Sequence, residues 1–306
     1  MSRVPVGAQH VEVDGRRVRL TNLDRVLWPS TGMTKWDMLE YYVRVAPWML
    51  PHVRRRPLTL WRYPEGVESE GWWQNECRGA PDWVARYEYD AADGRHHRHC
   101  MADDVPSLLW IANQGTIELH PFLFQAERPK TPLVVVFDLD PGDPASLADA
   151  CRVGIRLHGL LESIDLRSFA KASGSKGLHV VVPLNEPHTF EEMKAFARTV
   201  ARLLVHELPV VVDRQARALR AGKVLVDWLQ NDPFRSTVAP YSLRATSRPT
   251  VSMPINWGEV ERACAGNADQ LLPQPADAIE RLEQDGDAFA DVLQVRQRLP
   301  GSELGG

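Results

Sequence analysis

The chain has 306 residues, 44% of them apolar and 25% charged, the balance of a folded globular protein with room for one large domain or two small ones. No opening segment joins basic residues to an apolar stretch and no run of about 18 apolar residues occurs, so neither secretion nor membrane spanning is signalled and the cytoplasm is the default expectation. A net charge of −4 excludes a uniformly basic nucleic-acid binder, but Arg16, Arg17 and Arg19, then Arg54, Arg55 and Arg56, then Arg214, Arg217, Arg220 and Lys223 concentrate positive charge locally.

Residues 1–10 lack periodicity and read as a loose lead-in to a short strand, His10 to Val13, paired with Arg17 to Leu20 across an Asp14-Gly15 turn. Thr34 and Asp37 resemble a helix cap, and Met38, Leu39, Tyr42, Val45 and Met49 then recur at helical spacing until Pro51, which is expected to end the helix. His96, His97, His99 and Cys100 suggest a metal at first sight, but a surface loop is the expected reading. Strand-like and helix-like segments then alternate: Leu133 to Asp138, a helix near Pro144 to Ser163, Ser168 to Ala172, Leu178 to Leu184, a helix near Thr189 to Glu207, and Val224 to Leu229. Proline-rich stretches near 232–256 and 273–275 read as loops. The expected architecture is mixed α/β in one domain over 11–300, with a small N-terminal β element and a tail at 301–306. Cys77, Cys100, Cys151 and Cys264 lie far apart with no CxxC spacing and are expected to be reduced and unpaired.

The apolar run from Leu133 ends in Asp138 and Asp140, and the period of two in a strand puts both carboxylates on one face. Two like charges beside a buried strand call for compensating cations. Asp227 ends a second apolar run, Val224 to Val226. Three acids on two strands suffice to bridge two divalent ions for phosphoryl transfer, although a strand-end turn before Pro141-Gly142 is the structural alternative. Between two strands, Ser173 to Gly177 supplies glycines, hydroxyls and Lys176, a composition suited to a triphosphate, and His179 enters the next strand. An ordinary hairpin loop is the plain alternative. The turn matches neither a Walker A loop nor a dinucleotide fingerprint.

Taken together, Asp138-Leu-Asp140, the segment Ser173 to His179, and Val226 to Asn231 resemble the three motifs of the archaeo-eukaryotic primase superfamily, and most closely the polymerase domain of bacterial ligase D. Asn22 to Pro29, Thr31 to Lys35, Ile117 to Pro121, Leu219 to Lys223 and Ala239 to Arg244 extend the resemblance over about residues 11–300. It implies a primase-like polymerase fold in which Asp138, Asp140 and Asp227 hold two Mn²⁺ or Mg²⁺ ions and transfer nucleotides. Ser173, Lys176, His179 and Arg244 would contact the triphosphate of an NTP or dNTP, with His120 and Gln230 completing the pocket. Arg25 and Lys35 would hold a downstream 5′-phosphate, and Arg220 lies in a loop implicated in joining DNA ends. Where the family has a Lys-Arg pair this chain has Trp61-Arg62, leaving Arg62 as the DNA contact; where it has Phe-Phe this chain has Trp72-Trp73. Trp73 is the candidate to stack on a base, with a core role expected for one of the two rings.

The resemblance implies a template-dependent repair polymerase acting on gaps and double-strand-break ends, accepting ribo- or deoxynucleotides, nucleoid-associated, with Ku and a separate ligase as candidate partners and no membrane. No ligase or nuclease sequence follows, so a standalone version is expected. Two other classes compete. One is a noncatalytic DNA-end bridging module using Arg25, Lys35 and Arg220; intact acids at every motif position weigh against it. The other is a haloacid-dehalogenase-like phosphatase, which also begins with D-x-D and finds an imitation of its later motif in Gly286 to Asp291. Gly142 stands where those enzymes want Thr or Val, and Gly286 follows a polar helical stretch.

Overall fold

The computed structural model describes residues 7–91 and 94–301. Asp14 and Gly15 both adopt positive φ, 49° and 72°, the backbone a two-residue hairpin turn needs, and they join strands Gln9–Val13 and Arg16–Leu20. The strand thus already begins inside the expected lead-in. Residues 1–6 and 302–306 of the expected lead-in and tail lie outside the described residues.

Thr34 and Asp37 form the expected reciprocal cap, and the helix Lys35–Val53 buries Met38, Leu39, Tyr42, Val45 and Met49. Pro51 does not end it. Both Pro47 and Pro51 sit inside the helix, each removing one backbone hydrogen bond, and burial of the apolar face carries the helix through to Val53. It packs against the helix Val105–Asn113.

At the centre is a six-stranded sheet in the order Val211–Val212, Val224–Asp227, Val134–Pro141, Leu178–Pro183, Phe169–Ala172, Pro254–Ile255, antiparallel except for the first pair. The strand expected over Val224 to Leu229 stops at Asp227, where a 3-10 turn, Trp228–Asn231, begins. The helix Leu147–Glu162 covers the face bearing Leu139 and Leu178, and a Cβ at Gly154 would stand 2.5 Å from Leu178 Cδ2, so a larger residue there would require the Leu178 side chain to shift. The helix Phe190–Glu207 starts at a second reciprocal cap, Thr189 with Glu192. A three-stranded sheet, ordered Trp72–Gln74, Leu58–Arg62, Thr116–Pro121, stands across a cleft from the central one. Within the stretches read as loops, short strands form at Leu243–Arg244, Thr250–Val251 and Pro254–Ile255.

Two local expectations are corrected. His96–Cys100 is a strand paired with Arg86–Asp90, not a loop; His96 and Arg98 share one exposed face, and both His99 and the terminal Cys100 are buried. Cys77 and Cys100 are disulfide-bonded, with Cα atoms 4.9 Å apart, because the Cys77 N–H donates to the Arg98 carbonyl and draws that segment onto the strand. Cys151 and Cys264 are free, as expected. Among the described residues, no helix is long and apolar enough to cross a membrane.

Candidate active site

Register brings the motif residues together. Asp138 lies directly opposite Asp227 on one side and His179 on the other, and His179 lies opposite Lys171. Paired residues share a sheet face, so Asp227, Asp138, His179 and Lys171 form one row across four strands, with Asp140 two residues along on the same face. Asp227 accepts hydrogen bonds from the Leu229 N–H (3.0 Å), the Gln215 amide (2.9 Å) and the Gln230 amide (3.5 Å). His179 Nε2 stands 3.4 Å from Asp138 Oδ1, and Lys176 Nζ 3.9 Å from Asp140 Oδ1.

Burial, then Asp227 and Asp140 as like charges, push Asp138 up to about 7. Burial also raises Asp227, against its hydrogen-bond donors. His179 is pushed well down by burial, Lys171 and Arg244, which keeps it neutral; its Nδ1 is buried without a protein partner. Lys171, buried and donating to Ser252 Oγ at 2.5 Å, is likewise driven well down by burial and Arg244.

The turn after Ala172 is tightly built. Gly174 has φ 79°, and a Cβ there would meet Arg244 Cγ at 2.6 Å. The N–H groups of Ser175 and Gly177 turn inward onto Ser173 Oγ, so these two backbone donors are already engaged within the turn, while Ser175 and Lys176 line the cleft. Arg244 Nη1 donates to the Ser173 carbonyl and locks the turn to the strand Leu243–Arg244.

The cleft, about 310 Å³, is lined by Trp61, Trp73, His120, Asp138, Asp140, Ser173, Lys176, His179, Gln230 and Arg244, among others. Every residue expected to bind nucleotide is therefore in one place. Trp72 and Trp73 are 46% and 47% exposed, so neither is in the core. Trp73 leans on Trp61 (centroids 4.1 Å) and meets His120 edge-on (4.8 Å), leaving ring surface toward the cleft, while Trp72 lies under the Arg62 guanidinium.

The expected DNA contacts divide. Lys35 donates to the Thr21 carbonyl (2.6 Å), Arg25 to the Pro64 carbonyl (2.9 Å) and to Glu65, and Arg62 to Gln114 and Gln74. Burial, then Arg25 and Arg62, lower Lys35 to about 8, so the three cations share one patch. Arg220 is elsewhere, ion-paired with Asp140 inside the carboxylate cluster. A roomier cavity of about 550 Å³, lined by Arg54, Arg56, Arg128 and Arg296, lies at the opposite end of the central strands. Arg56 there is tied to the His52 and Phe122 carbonyls and Arg296 to Glu186, a structural use of the charges. Asp287, which imitates a phosphatase acid, accepts instead from Tyr241 and His52 in the packing of the helix Lys35–Val53.

Glu118 and Lys171 were given no role from sequence. Glu118 sits within the Ile117 to Pro121 motif at 3% exposure. It accepts from His120 Nε2 (2.8 Å) and the Ala245 N–H (2.9 Å) and faces Arg244 Nε at 3.1 Å, and alternation with His120 on a strand was its available signal.

A family model for the LigD primase-polymerase domain matches residues 34–289. The chain is 36% identical over 298 residues to the multifunctional non-homologous end joining protein LigD of Mycolicibacterium smegmatis, covering 95% of this chain and 38% of that protein. It is 30% identical to the bifunctional LigD of Bacillus subtilis, covering 94% and 46%. The chain thus spans less than half the length of these relatives. Among solved structures, the polymerase domain of Mycobacterium tuberculosis ligase D in complex with DNA superposes with a TM-score of 0.84 at 34% identity, covering 92% of this chain and 99% of that one. The carboxylate row, the anchored turn and the cleft between two sheets thus lie within a chain that belongs to the LigD primase-polymerase domain family.

Proposed function

We propose that the chain is a template-dependent nucleotidyltransferase that fills gaps and extends broken DNA ends with ribo- or deoxynucleotides in non-homologous end joining or gap repair, alongside Ku and a DNA ligase activity. The observation carrying this reading is the direct cross-strand pairing of Asp138 with Asp227, beside Asp140 and next to the Ser173 to Gly177 turn. The donor set suits divalent cations: carboxylates on facing strands, one pushed up to about 7 by its neighbours' charge, favour a hard cation that relieves the repulsion. Asp138, Asp140 and Asp227 would hold Mn²⁺ or Mg²⁺. Among the described residues, no three His, Cys, Asp or Glu side chains stand arranged around a single ion, and Arg220 is paired with Asp140, so ion loading would compete with that pair. Bound ions would supply activation of the attacking hydroxyl and neutralisation of the leaving group.

The chain's own residues do the rest. Lys176, Arg244 and His179 face the triphosphate, Gln230 orients Asp227, and Trp73 offers a stacking face that is sequence-tolerant. Arg25, Lys35 and Arg62 gather the charge a doubly ionised 5′-phosphate requires, which directs the enzyme to gaps and processed breaks. Primer extension on gapped, 5′-phosphorylated DNA tests this: Asp138→Ala, Asp140→Ala and Asp227→Ala each abolish nucleotide addition in folded protein, and full activity in all three refutes it. A wild-type protein that retards DNA in a gel but adds nothing would instead be a bridging module.

A further inference from the structure

Glu118 is the hub of the cleft wall. One of its carboxylate oxygens takes the His120 Nε2 proton at 2.8 Å; the other takes the Ala245 N–H at 2.9 Å and faces Arg244 at 3.1 Å. Its carboxyl is held down to about 2, chiefly by His120 and Arg244 against the effect of burial, so it is an anion that only accepts. The hydrogen between Glu118 and His120 therefore belongs to Nε2.

His120 is neutral, because burial, Arg244 and Lys171 together outweigh the attraction of Glu118. A neutral ring protonated at Nε2 presents Nδ1 as a lone pair. His120 lines the cleft, and among the described residues its Nδ1 has no hydrogen-bond partner. An acceptor cannot bond phosphate oxygens, which also only accept. It needs a hydroxyl or an N–H.

Position selects between these. On one side Glu118 ties His120 to Arg244, which is bonded to the Ser173 carbonyl of the turn expected to face the phosphates. On the other side the His120 ring meets Trp73, the expected base platform, edge-on at 4.8 Å. Between phosphate and base lies the sugar. We propose that Glu118 is a positioning residue that fixes His120 in the tautomer accepting a hydrogen bond from a sugar hydroxyl of the incoming nucleotide, so that the pair reads the ribose. The inference rests on the nucleotidyl-transfer reading above and adds a specificity element to it.

Single-nucleotide extension with ribo-, 2′-deoxy- and 3′-deoxynucleoside triphosphates tests the proposal. One hydroxyl-to-His120 bond predicts that wild-type kcat/KM falls about 3–10-fold when that hydroxyl is removed. Loss with the 2′-deoxy substrate assigns the 2′-hydroxyl, and loss with the 3′-deoxy substrate assigns the 3′-hydroxyl. In Glu118→Gln the carboxamide can donate to Nε2 and release the tautomer, and the ratio between the substrates collapses to within about twofold whatever the absolute rates. A structural defect would lower all substrates alike and leave the ratio unchanged, which overturns the proposal, as does wild-type indifference to both hydroxyls. If Glu118→Gln does not fold, the ring-nitrogen NMR signals of His120 in the wild-type protein, assigned by their loss in His120→Gln, decide. Protonation at Nε2 supports the proposal and protonation at Nδ1 overturns it. A wild-type protein that extends with no nucleotide at all fails the underlying reading, while the NMR result judges the tautomer separately.

Discussion

Lys35 offers the most quantitative test of how this chain would recognise a DNA end. Its ammonium, buried beside Arg25 and Arg62, is lowered to about 8, so it is about nine-tenths charged at pH 7 and about one-tenth charged at pH 9. A terminal phosphate, with a second pKa of about 6, is already a dianion across that range and does not change. To bind the phosphate at pH 9 the protein must first take a proton onto Lys35, at a cost of about 1.4 kcal/mol, or roughly tenfold in affinity. The sign is fixed by the lowered value: the charge is present below about pH 8 and is lost as pH rises through it. Fluorescence anisotropy at constant salt, on gapped duplexes with and without the downstream 5′-phosphate, reads the effect as a ratio of affinities. That ratio falls about tenfold from pH 7 to pH 9 in the wild-type protein and stays flat in Lys35→Arg, whose guanidinium remains charged. A wild-type ratio that does not change, or a Lys35→Arg ratio that falls equally, would refute the reasoning.

Other expectations follow from neighbouring contacts. Asp138 lies at about 7 against an ordinary 3.8, so its cost to stability is absent below about pH 4 and complete above about pH 7. With the side chain 24% exposed and partly screened, Asp138→Asn should stabilise the metal-free protein, kept in EDTA, by about 2 kcal/mol at pH 8.5 and by almost nothing near pH 4, read as melting temperature. Removing the cation that competes for Asp140, Arg220→Ala should tighten Mn²⁺ binding about fivefold in calorimetry, and unchanged or weaker binding would mean the pair does not gate the ions. Breaking Cys77–Cys100, a pair separated by 23 positions in sequence, should lower stability by about 3 kcal/mol, measured by comparing denaturation of Cys77→Ser with the oxidised protein.

Local signals made much of the fold legible. Asp14-Gly15, Thr34 with Asp37, and the apolar run into Asp138 each encode a nearest-neighbour rule: a turn dihedral, a cap, an alternating face. The proline at 51 misled because its local cost competes with a long-range term, the burial of Met38, Tyr42, Val45 and Met49, that only the packed helix reveals. Spacing likewise suggested no bond between Cys77 and Cys100, since pairing depends on which strand edges meet, and a separation of 23 residues carries no such information.

The site divides along the same line. That Asp138 and Asp140 share a face was readable from the period of two, but that Asp227 stands opposite Asp138 is a fact of register, set by how two strands 83 to 89 residues apart align, Asp138 with Asp227 and Pro141 with Val224 at the two ends. Arg220 shows why the distinction matters. As sequence it is one more basic residue in a loop, free to meet DNA; in the fold the same loop lies against Gly142 and turns the guanidinium onto Asp140. A cation that neutralises Asp140 would be chemically a competitor of the divalent ion proposed there. Its position therefore makes a regulatory demand that neither residue type nor spacing expresses: the contact that would bridge DNA ends and the contact that covers Asp140 draw on one side chain and cannot both be made at once.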